Sequence, residues 1–250
     1  QSTGDTNYYG VSTTLSITIG KSTPSILLSS TTAMNTMSVG STLSITSTSI
    51  PTPPAGTVPS TGVVAFTIVS GGGSATIDAN TGLLTALSSG QVVVHAIQGA
   101  DVNYYASTMG SFTVTIGAGT QTLSFPLANY AMVVEGTQAI TASNSVVGGG
   151  TITYSVTAGS GSATVNATTG QVTATGAGTV TLMAQAAANA NYTAASTSTV
   201  ITIGRSTPTL QLPSPTAMTV GSISSAVTQT LAKYSNGGVV TFSIAAPGAG

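Results

Sequence analysis

The chain is 250 residues long, and only 3% of them are Asp, Glu, Lys or Arg, against roughly 25% in ordinary soluble domains. Asp5, Asp78, Asp101, Glu135, Lys21, Arg205 and Lys233 leave a net charge of −1, which excludes nucleic acid and polybasic membrane-surface binding, since both need clustered Lys and Arg. The absence of cysteine removes disulfide frameworks, thiolate metal sites and cysteine nucleophiles. No apolar run approaches the ~18 residues of a membrane helix; the richest, Val63 to Val69, is interrupted by Thr67.

In chain order, Asn7-Tyr8 is followed by an alternating segment in which Leu15, Ile17 and Ile19 face one way and Ser16 and Thr18 the other, the pattern of a half-buried strand. Gly20-Lys21-Ser22-Thr23-Pro24 reads as a short linker. Ile50-Pro51-Thr52-Pro53-Pro54-Ala55-Gly56 reads as an inserted surface loop. Ala75-Thr76-Ile77 runs into Asp78-Ala79-Asn80-Thr81-Gly82, a tight hairpin in which Asp, Asn and Thr bond the local backbone and Gly82 takes positive φ. Leu84-Thr85-Ala86 returns, Val92, Val94 and Ala96 form the next inward set, and Asn103-Tyr104 precedes Phe112, Val114 and Ile116.

The same series then repeats. Ala163-Thr164-Val165-Asn166-Ala167-Thr168-Thr169-Gly170 and Val172-Thr173-Ala174 are followed by Val180, Leu182 and Ala184, then by Asn191-Tyr192 and Ile201-Thr202-Ile203-Gly204. The Asn landmarks at 7, 103 and 191 are 96 and then 88 residues apart, and Phe66, Tyr154 and Phe242 hold a spacing of 88. Such a period is too long for solenoid or propeller units and fits small independent domains. The expected organisation is a final strand of an upstream repeat in 1–20, complete repeats in 21–117 and 118–204, and the first half of a further repeat in 205–250. The third copy of the last strand carries Thr199 where the others have Leu15 and Phe112, so its core is expected to be thinner there. The short linkers, Gly117-Ala118-Gly119 and Gly204-Arg205-Ser206-Thr207-Pro208 among them, predict an extended, semi-rigid array.

Short strands at regular spacing, broken by Gly and Asn turns, predict an all-β chain of tandem immunoglobulin-like β-sandwich domains. Two motifs carry a resemblance. One is Gly-Ser-Ala-Thr-Ile-Asp-Ala-Asn-Thr-Gly-Leu-Leu-Thr-Ala with its following Gly and Val, at Gly73 to Val92 and again, with variations, at Gly161 to Val180. The other is Asn-Tyr leading to Ile-Thr-Ile-Gly-Lys/Arg-Ser-Thr-Pro, at Asn7 to Pro24 and Asn191 to Pro208. Both resemble the bacterial Ig-like repeat families of large secreted surface and adhesin-type proteins. The resemblance implies the sandwich fold and a spacer or surface role, and it departs from calcium-rigidified versions in having almost no charge.

Each residue type that could carry chemistry has a plainer alternative. His95 is the only histidine, lies on the outward parity of its strand, and has no nucleophile or second base beside it for acid-base catalysis. Asp5-Thr6-Asn7 and Asp101-Val102-Asn103, with Asn189 as the third counterpart, would be calcium ligands in a functional reading and turn caps in a structural one; calcium wants six to eight oxygens and several carboxylates. Tyr8-Tyr9 and Tyr104-Tyr105 are either aromatic platforms for sugar or corner residues with one ring of each pair packed on the sandwich edge. Gly71-Gly72-Gly73 and Gly148-Gly149-Gly150 precede strands and are followed by no Lys, unlike a phosphate loop. The outward Thr rows fit a solvated β-face as well as an ice-binding one. Asn166-Ala167-Thr168 and Asn191-Tyr192-Thr193 match the glycosylation sequon, to be checked as extra mass. No catalytic, cofactor-binding or metal-binding residues and no cofactor are expected.

A surface this neutral has little colloidal repulsion, and its strand edges carry few Lys or Pro guards. The expected function is that of a non-enzymatic structural protein of an extracellular fibre, filament or cell-surface stalk. Self-association with identical chains and a possible contact with surface glycans are the expected partnerships, with no nucleic acid and no membrane insertion in this segment. The alternatives are the stalk of an adhesin whose tip lies elsewhere, and a spacer or carbohydrate-binding module of a secreted hydrolase, for which the absence of Trp is unfavourable. With so few titratable groups, stability is expected to vary little with pH.

Overall fold

The computed structural model describes residues 3–32, 35–50 and 60–207; the proline-rich insertion beyond Ile50, Pro208, Lys233 and the landmark Phe242 lie outside them. The described residues contain no helix, as expected of a chain rich in β-branched residues and poor in Glu, Lys and Arg. Among the described residues, no helix is therefore long and apolar enough to cross a membrane.

In the first repeat the strands are β1 (Ser25–Ser30), β2 (Thr36–Ser38), β3 (Thr42–Ile50), β4 (Val64–Gly71), β5 (Ser74–Ile77), β6 (Leu83–Ser88), β7 (Gly90–Gln98) and β8 (Gly110–Gly117). They form two four-stranded sheets, ordered β1-β3-β6-β5 and β2-β8-β7-β4. Pairing is antiparallel except between β2 and β8, which run parallel. This is the order of an immunoglobulin-like sandwich. The inward set named from the sequence lines its core: Leu84, Val92, Val94 and Val114 are fully buried, and Ala86, Ala96 and Ile116 nearly so; Ile45 of β3, not foreseen, is buried with them. Phe66 is the one large aromatic side chain buried in that core, with Phe112 packed part-buried beside it.

The second repeat supplies β9 (Leu123–Ser124), β10 (Asn129–Val133), β11 (Thr137–Ala139), β12 (Ser143–Asn144), β13 (Ile152–Ala158), β14 (Ser162–Val165), β15 (Gln171–Gly176), β16 (Gly178–Ala186) and β17 (Ala195–Gly204). One sheet keeps its order intact, as β10-β17-β16-β13 with β10 parallel to β17. The other is in two pieces, β11-β15-β14 and the short pair β12-β9. β1 pairs with β3 over six residues, whereas β9 offers two before Phe125-Pro126. Pro126 has no N–H to donate, so the ladder ends there and its partner strand divides into β11 and β12.

The chain clusters into two compact units. One holds Gln1–Ser124, Ala142–Thr153 and Ala184–Thr197; the other holds Phe125–Thr141, Tyr154–Met183 and Ser198–Gly250. The first unit thus takes in the whole first repeat together with the Asn191-Tyr192 end of the second. In the other unit Thr199 is buried, and its hydroxyl donates to the carbonyls of Leu127 and Ala128 at 3.2 and 3.0 Å. The position is inward as expected, but hydrogen bonds replace the apolar packing of Phe112.

The N-terminal segment differs from its expected form. Residues 12–20 form no strand, and Leu15, Ile17 and Ile19 are 85%, 76% and 91% exposed. Their alternation is that of a strand, but a strand exists only through a partner, and none of the described residues pairs with this segment.

Candidate functional site

Two kinds of turn recur, each built from the same chemistry. In the β5–β6 hairpin the Asp78 carboxylate accepts the N–H groups of Asn80 and Thr81 at 2.9 and 2.8 Å. In the β14–β15 hairpin Asn166 accepts those of Thr168 and Thr169, both at 3.0 Å. Gly82 and Gly170 close these turns at φ 69° and 68°. Their carbonyls receive the N–H groups of Ile45 and Ile140, each at 3.0 Å. A side chain on either glycine would meet the Ile45 or Ile140 carbonyl and the ring of Phe66 or Tyr154, so glycine is needed for shape as well as for φ.

The Asx-Asn-Tyr landmark forms the second kind of turn, three times over. Asp5, Asp101 and Asn189 each use one oxygen to accept the N–H groups two and three residues on, at 2.7–3.0 Å. Each donates its own N–H to the Tyr carbonyl at 3.0 Å. At Asp101 the second oxygen accepts Ser60 Oγ at 2.9 Å, Thr61 N at 2.7 Å and Thr61 Oγ1 at 3.3 Å. Lys21 Nζ donates to the Asp101 carbonyl at 2.6 Å. Partial burial would raise the Asp101 carboxyl, but the donors from Thr61, Ser60, Asn103 and Tyr104 outweigh it and hold the group far below the usual carboxylate range. The backbone donors of Thr81 and Asn80 lower Asp78 in the same sense. A carboxylate taken up by five donors is a brace, and among the described residues no three acidic, His or Cys side chains gather into a metal site.

Sequence reasoning missed two buried glutamines beside these turns. Gln98 Nε2 donates to the carbonyls of Ser60 and Gly62 at 3.2 and 3.0 Å, while its Oε1 is buried without a partner. Gln121 is a full hub. Its Nε2 donates to the carbonyls of Ala187 and Thr193 at 3.2 and 2.7 Å, and its Oε1 accepts Asn144 Nδ2 and Gly150 N at 2.6 and 2.9 Å. Gln98 has the inward parity of Val94 and Ala96, and that polar residue in an apolar row was a usable signal. Gln121 lies before the first strand of its repeat and had none.

The longest-range bonds of this set join the repeats, inside the first compact unit. Asn191 Oδ1 accepts the N–H of Ser89, 102 residues earlier, at 3.0 Å. The Asn191 carbonyl accepts Gly119 N at 2.8 Å, and Thr193 N donates back to the Gly119 carbonyl at 2.9 Å. The Tyr192 ring packs against the first repeat's core. Gly119 approaches the Val39 carbonyl so closely that a side chain there would collide with it. The joint is made of backbone, an amide and a phenol ring, with no ion pair.

The other candidates stand apart from it. His95 is half-buried on the outer face, opposite Thr67 and Ser111. Tyr104 is buried and Tyr105 is 58% exposed, as expected of a corner pair, whereas Tyr8 and Tyr9 are both exposed, at 76% and 98%. Gly71-Gly72-Gly73 links β4 to β5, and Gly149 and Gly150 lie against Gln121, Asn144 and Ala187. Of the two sequons, Asn166 is committed to its hairpin turn and Asn191 to the joint. The shallow surface depressions are lined by residues such as Thr153, Gln185 and Ser196, or Met132, Gly136 and Gln138, without convergent charge.

No protein-family model matches this chain, and no curated protein sequence matches it. Among solved structures it is similar to Drosophila N-cadherin EC1-3, at 13% identity over 73% of this chain and 68% of that one, with a TM-score of 0.30. It is also similar to domains 4 and 5 of the S-layer protein SbsC, at 12% identity over 73% and 99% of the two chains, with a TM-score of 0.31. For the fibronectin(III)-like modules of Clostridium thermocellum CbhA the identity is 14%, over 71% and 94%, with a TM-score of 0.29.

Proposed function

We propose that the chain is a non-enzymatic structural segment of an extracellular or cell-surface fibre, filament or stalk, in which Ig-like sandwiches are fixed end to end. The observation that carries this reading is the joint: Ser89, Gly119, Asn191 and Tyr192 couple one repeat to the next through backbone groups and a packed ring. Half-buried polar groups held in direct hydrogen bonds stiffen a connection, and an array meant to bear load gains from stiff joints more than from stable domains alone. Four carboxylates in 250 residues leave few groups through which acid or salt could loosen the assembly. Boundaries at 21–117 and 118–204 for the two repeats belong to this reading, as does the absence of enzymatic activity.

Electron micrographs of native material test it. Regular filaments or stalks with an axial repeat of a few nanometres support the proposal; a monodisperse globular particle at high concentration contradicts it. A second reading, contact with surface glycans, is favoured by the exposed rings of Tyr8, Tyr9 and Tyr105, since exposed aromatic rings stack on sugars. A glycan array whose hits disappear on Tyr105→Ala would rank that reading first.

A further inference from the structure

We infer that the first repeat binds a water molecule between its two sheets, held by Ser49 Oγ and Gln98 Oε1. Among the described residues these are the two buried side-chain polar atoms with no hydrogen-bond partner in the chain, and a buried polar atom is costly unless something bonds it.

The two atoms come from facing rows. Ser49 of β3 pairs with the buried Ile26 of β1, so it continues the inward row of Leu43 and Ile45. Gln98 continues the row of Val92, Val94 and Ala96 on β7 and is 5% exposed. Both rows finish at the same end of the sandwich: Ile26 lies against Gly110, which pairs with Ala96, one inward step before Gln98. The direction of the Gln98 amide is settled by its neighbours. Its Nε2 donates to the carbonyls of Ser60 and Gly62, and its backbone N–H and carbonyl are both bonded to Ser107 at 2.9 Å. Turning the amide over would set an oxygen against two carbonyl oxygens, so the partnerless atom stays Oε1.

The second repeat shows what this place demands. Ser22 and Gly119 form equivalent parallel bridges, to Tyr104 and Tyr192. That register puts Gln121 at the position of Pro24, Leu123 at that of Ile26, and Asn144, opposite Leu123, at that of Ser49. Asn144 Nδ2 donates to Gln121 Oε1, and Gln121 Nε2 donates to the carbonyl of Ala187, next to Ala186 at the position of Gln98. Two bonded amides thus connect the equivalents of Ser49 and Gln98. All of these residues belong to the first compact unit.

In the first repeat the glutamine has moved to the other strand, Pro24 brings no donor, and Ser49 ends one bond short of an Asn nitrogen. A water restores the connection: it donates one proton to Gln98 Oε1 and shares a second hydrogen bond with the Ser49 hydroxyl, which both donates and accepts. A cation fits poorly. Asp101, the carboxylate bonded into this corner, is already taken up by Ser60, Thr61, Asn103 and Tyr104, so the charge would go uncompensated.

The full chain tests the site, with Gln121 as internal control. In water-selective NMR the side-chain amide protons of Gln98 are expected to show a cross-peak to a long-lived water. Those of Gln121, whose Oε1 already accepts from Asn144 and Gly150, should show none. Ser49→Asn gives the first repeat the donor of the second, and is expected to abolish the Gln98 peak and to lower the oxygen-17 relaxation dispersion of the solvent by about one long-lived water. Oxygen-17 reports water alone, so proton exchange through the Ser49 hydroxyl does not imitate the result. Should Ser49→Asn fail to fold, Ser49→Ala removes one of the two anchors without adding bulk and is expected to lose the same signals. The inference is overturned if Gln98 and Gln121 respond to water alike, or if the dispersion is unchanged in the folded variant. Either result leaves the fibre reading untouched, since the site lies within one repeat.

Discussion

Asp101 and Asn189 hold the same turn with the same oxygen, and they differ in the second atom of the side chain. At Asp101 the second oxygen faces donors, the hydroxyls of Ser60 and Thr61 and the Thr61 N–H. At Asn189 that atom is a nitrogen, and it donates to the Gly148 carbonyl at 3.0 Å. The two glutamines show the same exchange. The first repeat places Gln98 on a strand where the second has the buried Ala186, and the second places Gln121 where the first has the buried Pro24. Each repeat thus solves one problem, fixing the loop before its third long strand, from the opposite side and with the opposite hydrogen-bond polarity. Where the loop turns N–H and O–H groups towards the corner residue that residue is Asp, and where it turns a carbonyl the residue is Asn.

The largest expected effect breaks the hub. Gln121→Ala strands two part-buried donors and two carbonyls and is expected to cost about 3 kcal/mol or more, against about 1–2 for Gln98→Ala, whose Oε1 already lacks a partner. Chemical denaturation of both variants measures the difference, and equal losses would erase the contrast between the corners. Next come the hairpin glycines. Gly82→Ala and Gly170→Ala combine positive φ with a carbonyl collision and should each lose at least about 2 kcal/mol; a neutral result at either would mean that the turn relaxes freely.

The polarity itself is sharpened by exchanging the atoms. Asp101→Asn turns an N–H₂ or a weaker acceptor towards Ser60 and Thr61, and Asn189→Asp sets a carboxylate against the Gly148 carbonyl; both should lower the melting temperature, with Asp101→Asn also flattening its acid dependence. The sign follows from the lowered pKa values. Asp78 and Asp101 are held below their ordinary range in the folded chain, so their contribution is complete above that range and is lost as pH falls through the lowered values. These two groups place an acid-side pH dependence in the first repeat's turns. Amide exchange followed from pH 7 to pH 2 should show Asn80, Thr81, Asn103 and Tyr104 opening before Thr168, Thr169, Asn191 and Tyr192.

The smallest effect is a gain. Glu135 has φ 68°, the one positive value among the described non-glycine residues, where the first repeat has Gly40 at 83°. Both donate their N–H to the strand beside them, Glu135 to Ala174 and Gly40 to Ala86. Glu135→Gly should therefore stabilise by about 1 kcal/mol in thermal melts, and Gly40→Ala should destabilise by a similar amount.

Local features were legible in the sequence because their partners are a few residues away. The hairpins at Asp78 and Asn166, their glycines, and the inward row of Val92, Val94 and Ala96 follow from period-two alternation and turn chemistry alone. What decides Asp against Asn at the corner was not legible, because the partners of Asp101 lie 40 and 41 residues back and that of Asn189 lies 41 back. The joint was further out of reach, since the Ser89 N–H and the Asn191 amide are separated by 102 residues. The N-terminal segment shows the converse limit. Leu15, Ile17 and Ile19 have the alternation of a strand, and without a partner that pattern makes no ladder.

The joint is tested most directly by the exchange rate of a single amide proton, with an internal control. In dilute solution at neutral pH, the Ser89 N–H is predicted to be protected in the parent chain and to exchange freely in Asn191→Ala, with Val92 and Val94 unchanged. The N–H of Ala177, which lies between β15 and β16 as Ser89 lies between β6 and β7, is predicted to exchange freely throughout. A Ser89 amide that exchanges in the parent chain as fast as that of Ala177 would contradict the joint and, with it, the case for repeats fixed end to end.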